Sequence, residues 1–458
     1  MENTKPEYII STLEKQKMFF ATQTTKNLSY RKEALKKLLR SVEEHEQLLA
    51  QALWEDLHKS YEEAYLTEIS LVKAEIKNHI RHLRKWTKSQ CKLSPLALFP
   101  SSSKIVTEPL GNALIMAPWN YPFLLLFGPL IGAISAGCCA MLKPSPYVPH
   151  VSTVMQKMIE SVFPSEYIAV CQGNREVNTC LLEQKFDIIF FTGSPALGKI
   201  VMTAAAKNLT PVVLELGGKS PCIVHSDADI QTAVKRIAWG KCLNAGQTCI
   251  APDYLLVQEN MKDAFIEAFK KAINELYKDD IKENRHFVRL VTDKAYSRVK
   301  QYLSDGNAVV GGHFDDNQRF IEPTILENVS PESPVMQEEI FGPILPLLTY
   351  KTLDEAITFI NKRPKPLALY AFAKKSTAKA IIHQTSSGGA CINDTIMHIV
   401  NHSLPFGGVG NSGLGKYHGK LSVDAFSNKR SLVTTPTLID LPVRYMPYKF
   451  FALMKKIL

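Results

Sequence analysis

The chain has 458 residues, 45% hydrophobic and 21% charged, with a formal net charge of +10 and a pI near 9.0. That length is too great for one hydrophobic core and predicts two or three domains. The composition excludes a fibrous or disordered chain, and no basic patch interleaved with aromatics points to nucleic acid, so the basic excess suits an anionic cofactor, an anionic membrane surface or a solvated exterior.

From Tyr8 to Lys88 the pattern is helical, as in Lys32 to Leu53 and Thr67 to Trp86, where apolar residues recur at three and four positions. Ala117 to Leu142 carries no charge and is long enough to cross a bilayer. Pro118, Pro122, Gly128, Pro129, Gly132 and Gly137 interrupt it, which predicts a buried strand, loop and helix instead. Short apolar runs follow at Ala113 to Pro118, Cys139 to Pro144, Tyr167 to Val170, Asp187 to Gly193 and Val212 to Gly218. Separated by helical segments, they predict a parallel, doubly wound sheet. A second alternating block has helices over Ile230 to Gly240 and Lys262 to Tyr277. Its strands are expected at Tyr254 to Val257, Phe320 to Leu326, Leu345 to Tyr350 and Ala390 to Asn393. The N-terminus, MENTKPEYII, lacks the basic and apolar regions of a signal peptide.

Three segments carry candidate chemistry. KCLNAGQTCIAP (Lys241 to Pro252) places Cys249 after small and amide residues, LELGGKSP holds Glu215, and APWNYP holds Asn120. A thiol, a carboxylate and an amide NH₂ are the nucleophile, base and oxyanion donor of covalent carbonyl chemistry. Singly, each has a plain structural reading: an inert buried thiol, a strand-end carboxylate paired with Lys219, and a turn residue beside Tyr121 and Pro122. FTGSPALGK (Phe191 to Lys199) follows a strand and opens a helix, with Ser194 as N-cap and Pro195 as the first helical residue. Such an N-terminus suits a pyrophosphate, yet the spacing is G-S-x-x-x-G rather than G-x-G-x-x-G, and a ligand-free turn reads equally well. Nine cysteines and twelve histidines show no metal-ligand spacing, so no metal is expected. The cysteine usage fits a reducing, cytoplasmic compartment.

Together ELGGKSP, NAGQTC, EEIFGP (Glu338 to Pro343) and LPFGGVGNSGLG (Leu404 to Gly415) resemble the aldehyde dehydrogenase superfamily. GQTCIAPDY and HSLPFGGVGNSGLGKYHGK narrow the resemblance to its class 3 group, which includes fatty aldehyde dehydrogenases, over almost the whole chain. The resemblance implies two doubly wound α/β domains, a Rossmann-like cofactor domain and a catalytic domain, plus a small oligomerisation element. Residues 1–87 and 110–216 would bind the dinucleotide, 217–400 would carry the cysteine, 88–109 and 401–430 would join subunits of a homodimer, and 431–458 would form a tail.

The implied reaction is oxidation of an aldehyde, medium- or long-chain aliphatic or aromatic, to a carboxylic acid with NAD or NADP. Cys249 is the implied nucleophile, Glu215 the base and Asn120 the oxyanion donor. Trp119, Lys143, Gly193, Ser194, Gly198, Glu339 and Phe341 are the implied cofactor contacts. The family's usual KPSE reads KPSP here, so Pro146 offers no carboxylate to the ribose 2′-hydroxyl and cofactor choice is expected to be relaxed. Asn393, Thr395, Met397 and His402 are expected to line the substrate pocket. A coenzyme A-acylating relative, a cysteine–histidine hydrolase and a catalytically silent binding homologue are the competing readings. Retention of Glu215 opposes the first, no histidine can be assigned beside Cys249 for the second, and retention of both catalytic groups opposes the third. The tail, RYMPYKFFALMKKIL, is too short to span a membrane; as a helix it would align Phe450, Leu453, Met454 and Ile457 for weak peripheral contact.

Overall fold

The computed structural model describes residues 2–457 except Asp279, Leu441, Val443, Arg444 and Lys449, and the side chains of Leu453, Met454 and Ile457 are also outside the description. Helices Pro6–Ala21, Leu28–Glu44, Glu46–Leu57 and Ser70–Thr87 form the N-terminal scaffold. Asn27 starts the second by accepting from the Ser29 and Tyr30 N–H groups. The helical run expected over Lys32 to Leu53 breaks at His45, and a π-helical stretch, Tyr65–Ile69, leads into Ser70–Thr87.

Two large sheets follow. In the first, parallel strands Val212–Leu216, Ile188–Gly193, Asn112–Met116, Cys139–Lys143 and Ile168–Val170 lie side by side in that order. Numbered along the chain this order is 5-4-1-2-3, the doubly wound arrangement, with its switch point between Asn112–Met116 and Ile188–Gly193. Alternation along the strands divides the core. Ile115, Phe190 and Val213 face one side with helix Pro122–Ala136, while Leu114, Met116, Ile189 and Leu214 face the other. The uncharged stretch forms that buried helix and the following strand, as its prolines and glycines imply. Among the described residues no helix is long and apolar enough to cross a membrane.

The second sheet has the order Asn307–Val310, Thr324–Glu327, Ile344–Tyr350, Tyr254–Gln258, Pro221–Val224, Ala368–Phe372 and Gly389–Ile392. All neighbours are parallel except the first pair. Two central strands, Pro221–Val224 and Ala368–Phe372, had no counterpart among the expected elements. Leu255, Val257 and Tyr370 join the core that also takes the inner face of the first sheet, so the two sheets share one apolar interior.

A third sheet pairs Gln90–Lys92 with Ser102–Pro109 and that strand with Ser427–Thr434. The two-residue strand Gly413–Leu414 runs antiparallel to Val212–Leu216 and brings Gly413 opposite Glu215. The tail ends in a helix, Phe451–Ile457. Its expected apolar face falls largely on side chains outside the described residues; Phe450 and Phe451 are exposed.

Candidate active site

Asn120 lies in the turn between strand Asn112–Met116 and helix Pro122–Ala136 and is buried. Its Nδ2 donates to the Gln247 carbonyl at 3.0 Å. Its own carbonyl accepts from Asn244 Nδ2 at 2.9 Å and from Lys59 Nζ at 3.2 Å. Lys59 and Glu68, both fully buried, pair at 2.7 Å. The second Glu68 oxygen accepts from the Phe123 and Leu124 N–H groups at 2.9 and 3.2 Å, capping the helix that Asn120 precedes.

The loop before Cys249 is strained. Asn244, Ala245 and Gly246 have φ of 52°, 51° and 73°. Asparagine and glycine tolerate this region; for Ala245 it costs about 1–3 kcal/mol, and such strain persists only where neighbours over-determine it. They do so here. Glu63 accepts from the Asn244 N–H at 2.8 Å, and Gln247 donates to the Asn244 and Arg289 carbonyls, each at 3.1 Å. Tyr121 Oη lies 2.7 Å from Thr248 Oγ1. A Cβ on Gly246 would sit 2.3 Å from the Gly342 carbonyl oxygen, so the EEIFGP loop lies directly against the cysteine loop.

Charge is crowded around the thiol. Burial, then the Glu339 and Glu215 carboxylates, push the Cys249 thiol well above its ordinary range. Glu215 is buried and neither of its oxygens has a hydrogen-bond partner among the described residues. Burial pushes its carboxyl well up, and only the Lys416 ammonium opposes this. Burial and the nearby Asp253 push Glu339 up to about 8. A Cβ on Gly217 would overlap the Glu339 carboxylate, which therefore rests on the backbone of the ELGGKSP turn. A thiol and two carboxylates, each with raised proton affinity, are the groups that acid–base chemistry uses.

Lys219 pairs with Asp253 rather than Glu215, and donates to the Val335 and Glu338 carbonyls at 2.7 and 3.0 Å. Asp253 also accepts from the Ile340 N–H at 3.0 Å. ELGGKSP, CIAPDY and EEIFGP are thus parts of one joint.

Around the first sheet's switch point, Ser194 caps helix Pro195–Ala206 by accepting from the Leu197 N–H, with Pro195 at its first position. A Cβ on Gly198 would meet Leu216 Cδ2 at 2.7 Å, and one on Gly193 would meet the Phe191 ring at 2.5 Å, so neither position has room for a side chain. Lys143 ends its strand 2% exposed, donates to the Pro144 carbonyl at 2.8 Å, and is pushed down to about 8 by burial. Trp119 and Phe341 meet edge to face with centroids 5.3 Å apart.

The expected pocket residues divide. His402 borders an apolar pocket between helices Ser70–Thr87 and Pro122–Ala136 and the segment 399–418. Asn393 instead exchanges hydrogen bonds with the Ala373 backbone, Thr395 donates to the Arg236 carbonyl, and Met397 is exposed. Sequence reasoning missed Lys59, Glu63 and Glu68, whose charges sit in an amphipathic pattern like solvent-facing ones. It also missed Lys241, buried without a hydrogen-bond partner among the described residues and pushed down to about 8 by burial. Among the described residues no cluster of three or more His, Cys, Asp or Glu is placed to hold a metal ion, and all nine cysteines are free. A larger cationic cavity, lined by Trp54, Lys282, Arg285, Arg289 and Arg319, contains none of the candidate residues.

A family model described as "Aldehyde dehydrogenase family" matches residues 3–432. The 4,4'-diaponeurosporen-aldehyde dehydrogenase of Staphylococcus aureus is 49% identical over 436 residues, covering 94% of this chain and 95% of that protein. Aldehyde dehydrogenase family 3 member B1 of Bos taurus is 46% identical over 440 residues, covering 95% and 94%. Among solved structures, Staphylococcus aureus AldH in a substrate-bound state superposes with a TM-score of 0.96 at 47% identity, covering 98% of this chain and 99% of that one. A Staphylococcus aureus betaine aldehyde dehydrogenase variant in complex with NAD+ gives a TM-score of 0.87 at 27% identity, covering 97% and 91%.

Proposed function

The chain belongs to the aldehyde dehydrogenase family, and from that premise we propose that it oxidises medium- or long-chain aliphatic or aromatic aldehydes to carboxylic acids, with NAD+ or NADP+, through a covalent intermediate on Cys249. The observation that carries this reading is the meeting of the strained Cys249 loop with the buried Glu215 carboxylate, the partly buried Glu339 carboxylate and a fixed amide.

The Cys249 thiol, whose proton affinity burial and the neighbouring carboxylates raise, first gives its proton to solvent, and the thiolate attacks the aldehyde carbon. One Asn120 N–H is engaged by Gln247; the other, with the Cys249 backbone N–H, receives the developing oxyanion. A bound nicotinamide supplies the hydride acceptor. Loss of hydride leaves an acyl thioester on Cys249. Glu215 takes a proton from water, the water oxygen attacks the thioester, and the thiolate departs from the carboxylic acid. Burial of Glu215 without hydrogen-bond partners suits a base, since it raises proton affinity.

The residues at the switch point fit a dinucleotide. A capped helix N-terminus after a closely packed glycine turn offers N–H groups to a pyrophosphate. Lys143 is a buried cation whose protein acceptor is a single carbonyl, suited to a ribose hydroxyl or a 2′-phosphate. Glu339 is the candidate for the nicotinamide ribose and Trp119 and Phe341 for walls beside the ring. The bound NAD+ of the betaine aldehyde dehydrogenase relative supports a nicotinamide cofactor.

We assign residues 1–87 and 110–216 to cofactor binding, 217–400 to catalysis, and 88–109 with 401–430 to a homodimer contact in the cytoplasm, centred on the three-stranded sheet that runs on to Thr434. Its last strand carries the exposed Leu432 and Val433, which supports an interface. The tail would make at most reversible contact with anionic membrane. Sedimentation of the full chain and of one truncated after Tyr448 with anionic vesicles tests this; salt-resistant binding by the full chain overturns it.

The decisive assay follows reduced nicotinamide and product from decanal or benzaldehyde, with and without coenzyme A. Free carboxylic acid formed without coenzyme A is expected. A strict requirement for coenzyme A, or no turnover with either aldehyde, overturns the reading.

A further inference from the structure

The apolar pocket bordered by His402 has three walls from three distant stretches of chain. Leu71 and Val72 come from helix Ser70–Thr87, Leu124 and Gly128 from helix Pro122–Ala136, and Ile399 and Tyr417 from the segment 399–418. Tyr417 also faces the chemistry: burial, then Glu215 and Cys249, raise its hydroxyl well above its usual range. Nothing covalent fixes the spacing of these walls.

One carboxylate, on the first wall, contacts the third directly and reaches the second through His79. Glu75 Oε1 accepts from the Gly419 N–H at 2.7 Å and from His79 Nε2 at 3.1 Å. His402 Nδ1 lies 2.7 Å from Glu75 Oε2. His79 Nδ1 lies 2.6 Å from Ser135 Oγ on helix Pro122–Ala136. Gly419 has φ +50°, and a Cβ there would be 2.4 Å from the His402 carbonyl oxygen, so the two ends of the intervening segment touch where Glu75 holds them. Inside that segment Phe406 and Tyr417 exchange backbone hydrogen bonds at 3.0 and 2.9 Å, and Gly413 pairs with Glu215.

Resting on the function proposed above, we propose that Glu75 is a positioning residue that determines specificity: it clasps His402 and Gly419 to helix Ser70–Thr87 and so sets the width of the pocket that takes the aldehyde's alkyl chain. The carboxylate is 5% exposed; its hydrogen bond with His79 is of the charge-assisted, stronger kind, and its second oxygen meets His402 in a close contact. Burial alone would raise its pKa, but the hydrogen bonds from His402 and His79 hold it well below the carboxylate range, so it stays ionised. As clasped, the pocket encloses about 20 Å³, so its width limits which chains can enter, and each methylene buried against its walls contributes about fourfold in affinity. A short aldehyde reaches Cys249 with little contact to them.

The test measures KM and kcat for propanal and decanal at saturating cofactor, with thermal unfolding in parallel. Glu75→Ala is expected to raise the decanal KM about tenfold or more, while the propanal KM and both kcat values change less than about threefold. Glu75→Gln keeps an acceptor for the Gly419 N–H without the charge and should fall between. His402→Ala removes one limb and should give a smaller shift of the same sign. A merely structural role lowers stability but leaves the decanal-to-propanal ratio alone; an unchanged ratio in folded Glu75→Ala overturns the clasp while leaving aldehyde oxidation standing. Should Glu75→Ala fail to fold, the ratio in His402→Ala decides, an unchanged ratio again overturning it. Failure of the wild type on both aldehydes sinks the function reading itself.

Discussion

The Asn120 side-chain amide donates to the Gln247 carbonyl across 3.0 Å, and this bond ties the turn after the first sheet's central strand to the loop that carries Cys249. The proposed oxyanion donor and nucleophile come from different sheets, so their relative position depends on this contact and on Asn244, which donates to both the Asn120 and Gln247 carbonyls. Asn120→Ala is expected to lower kcat/KM by about a hundredfold to a thousandfold, the usual loss for one oxyanion donor, with cofactor affinity within a few-fold. Steady-state kinetics with a cofactor titration checks it; a loss below about tenfold removes Asn120 from the reaction.

Glu215→Gln should slow thioester hydrolysis more than hydride transfer. Stopped-flow should record a burst of reduced cofactor followed by slow turnover. An unchanged steady state contradicts the general-base role.

The same carboxyl should set the pH profile. A base acts when deprotonated, and burial raises the Glu215 pKa, so turnover should be lost as pH falls through the raised value and recover as pH rises. Lys416 is the opposing charge. Lys416→Met should move the acid limb of kcat to higher pH; movement to lower pH means that another group governs it.

Glu68→Ala leaves the Lys59 ammonium buried without its carboxylate and uncaps helix Pro122–Ala136. Removing one partner of such a pair costs about 3–5 kcal/mol. Denaturant unfolding measures it, and a loss under about 1 kcal/mol shows the pair to be dispensable.

Cofactor choice should be relaxed, because Pro146 has no carboxylate to bond a 2′-hydroxyl or repel a 2′-phosphate. Both NAD+ and NADP+ should be used, and Pro146→Glu should favour NAD+. A wild-type preference for NAD+ beyond about a thousandfold assigns discrimination to another residue.

The first sheet was readable because its strands are apolar runs ending in turn residues, and Ser194-Pro195 marks its helix start to the residue. Pro221–Val224 escaped because it opens on a proline, which demotes a run as a strand, and Ala368–Phe372 because its alanines carry little strand signal. Within the site, motif residues were legible and their supports were not. Lys59, Glu63, Glu68 and Glu75 are charged residues in helical sequence, and only tertiary contact turns them inward. The plain structural reading of Glu215, paired with Lys219, fails because Lys219 finds Asp253, 34 residues away in sequence. Asn393 and Thr395 look like pocket residues, yet they spend their polar groups on backbone.

The central claim is that Cys249 forms the bond to substrate. Cys249→Ala, assayed with decanal and the preferred cofactor, should lose aldehyde oxidation while binding the cofactor within a few-fold of wild type, and Cys138→Ala, Cys139→Ala, Cys242→Ala and Cys391→Ala should remain active. Retention of more than about a hundredth of wild-type turnover by Cys249→Ala, far above what a lost nucleophile allows, would contradict it.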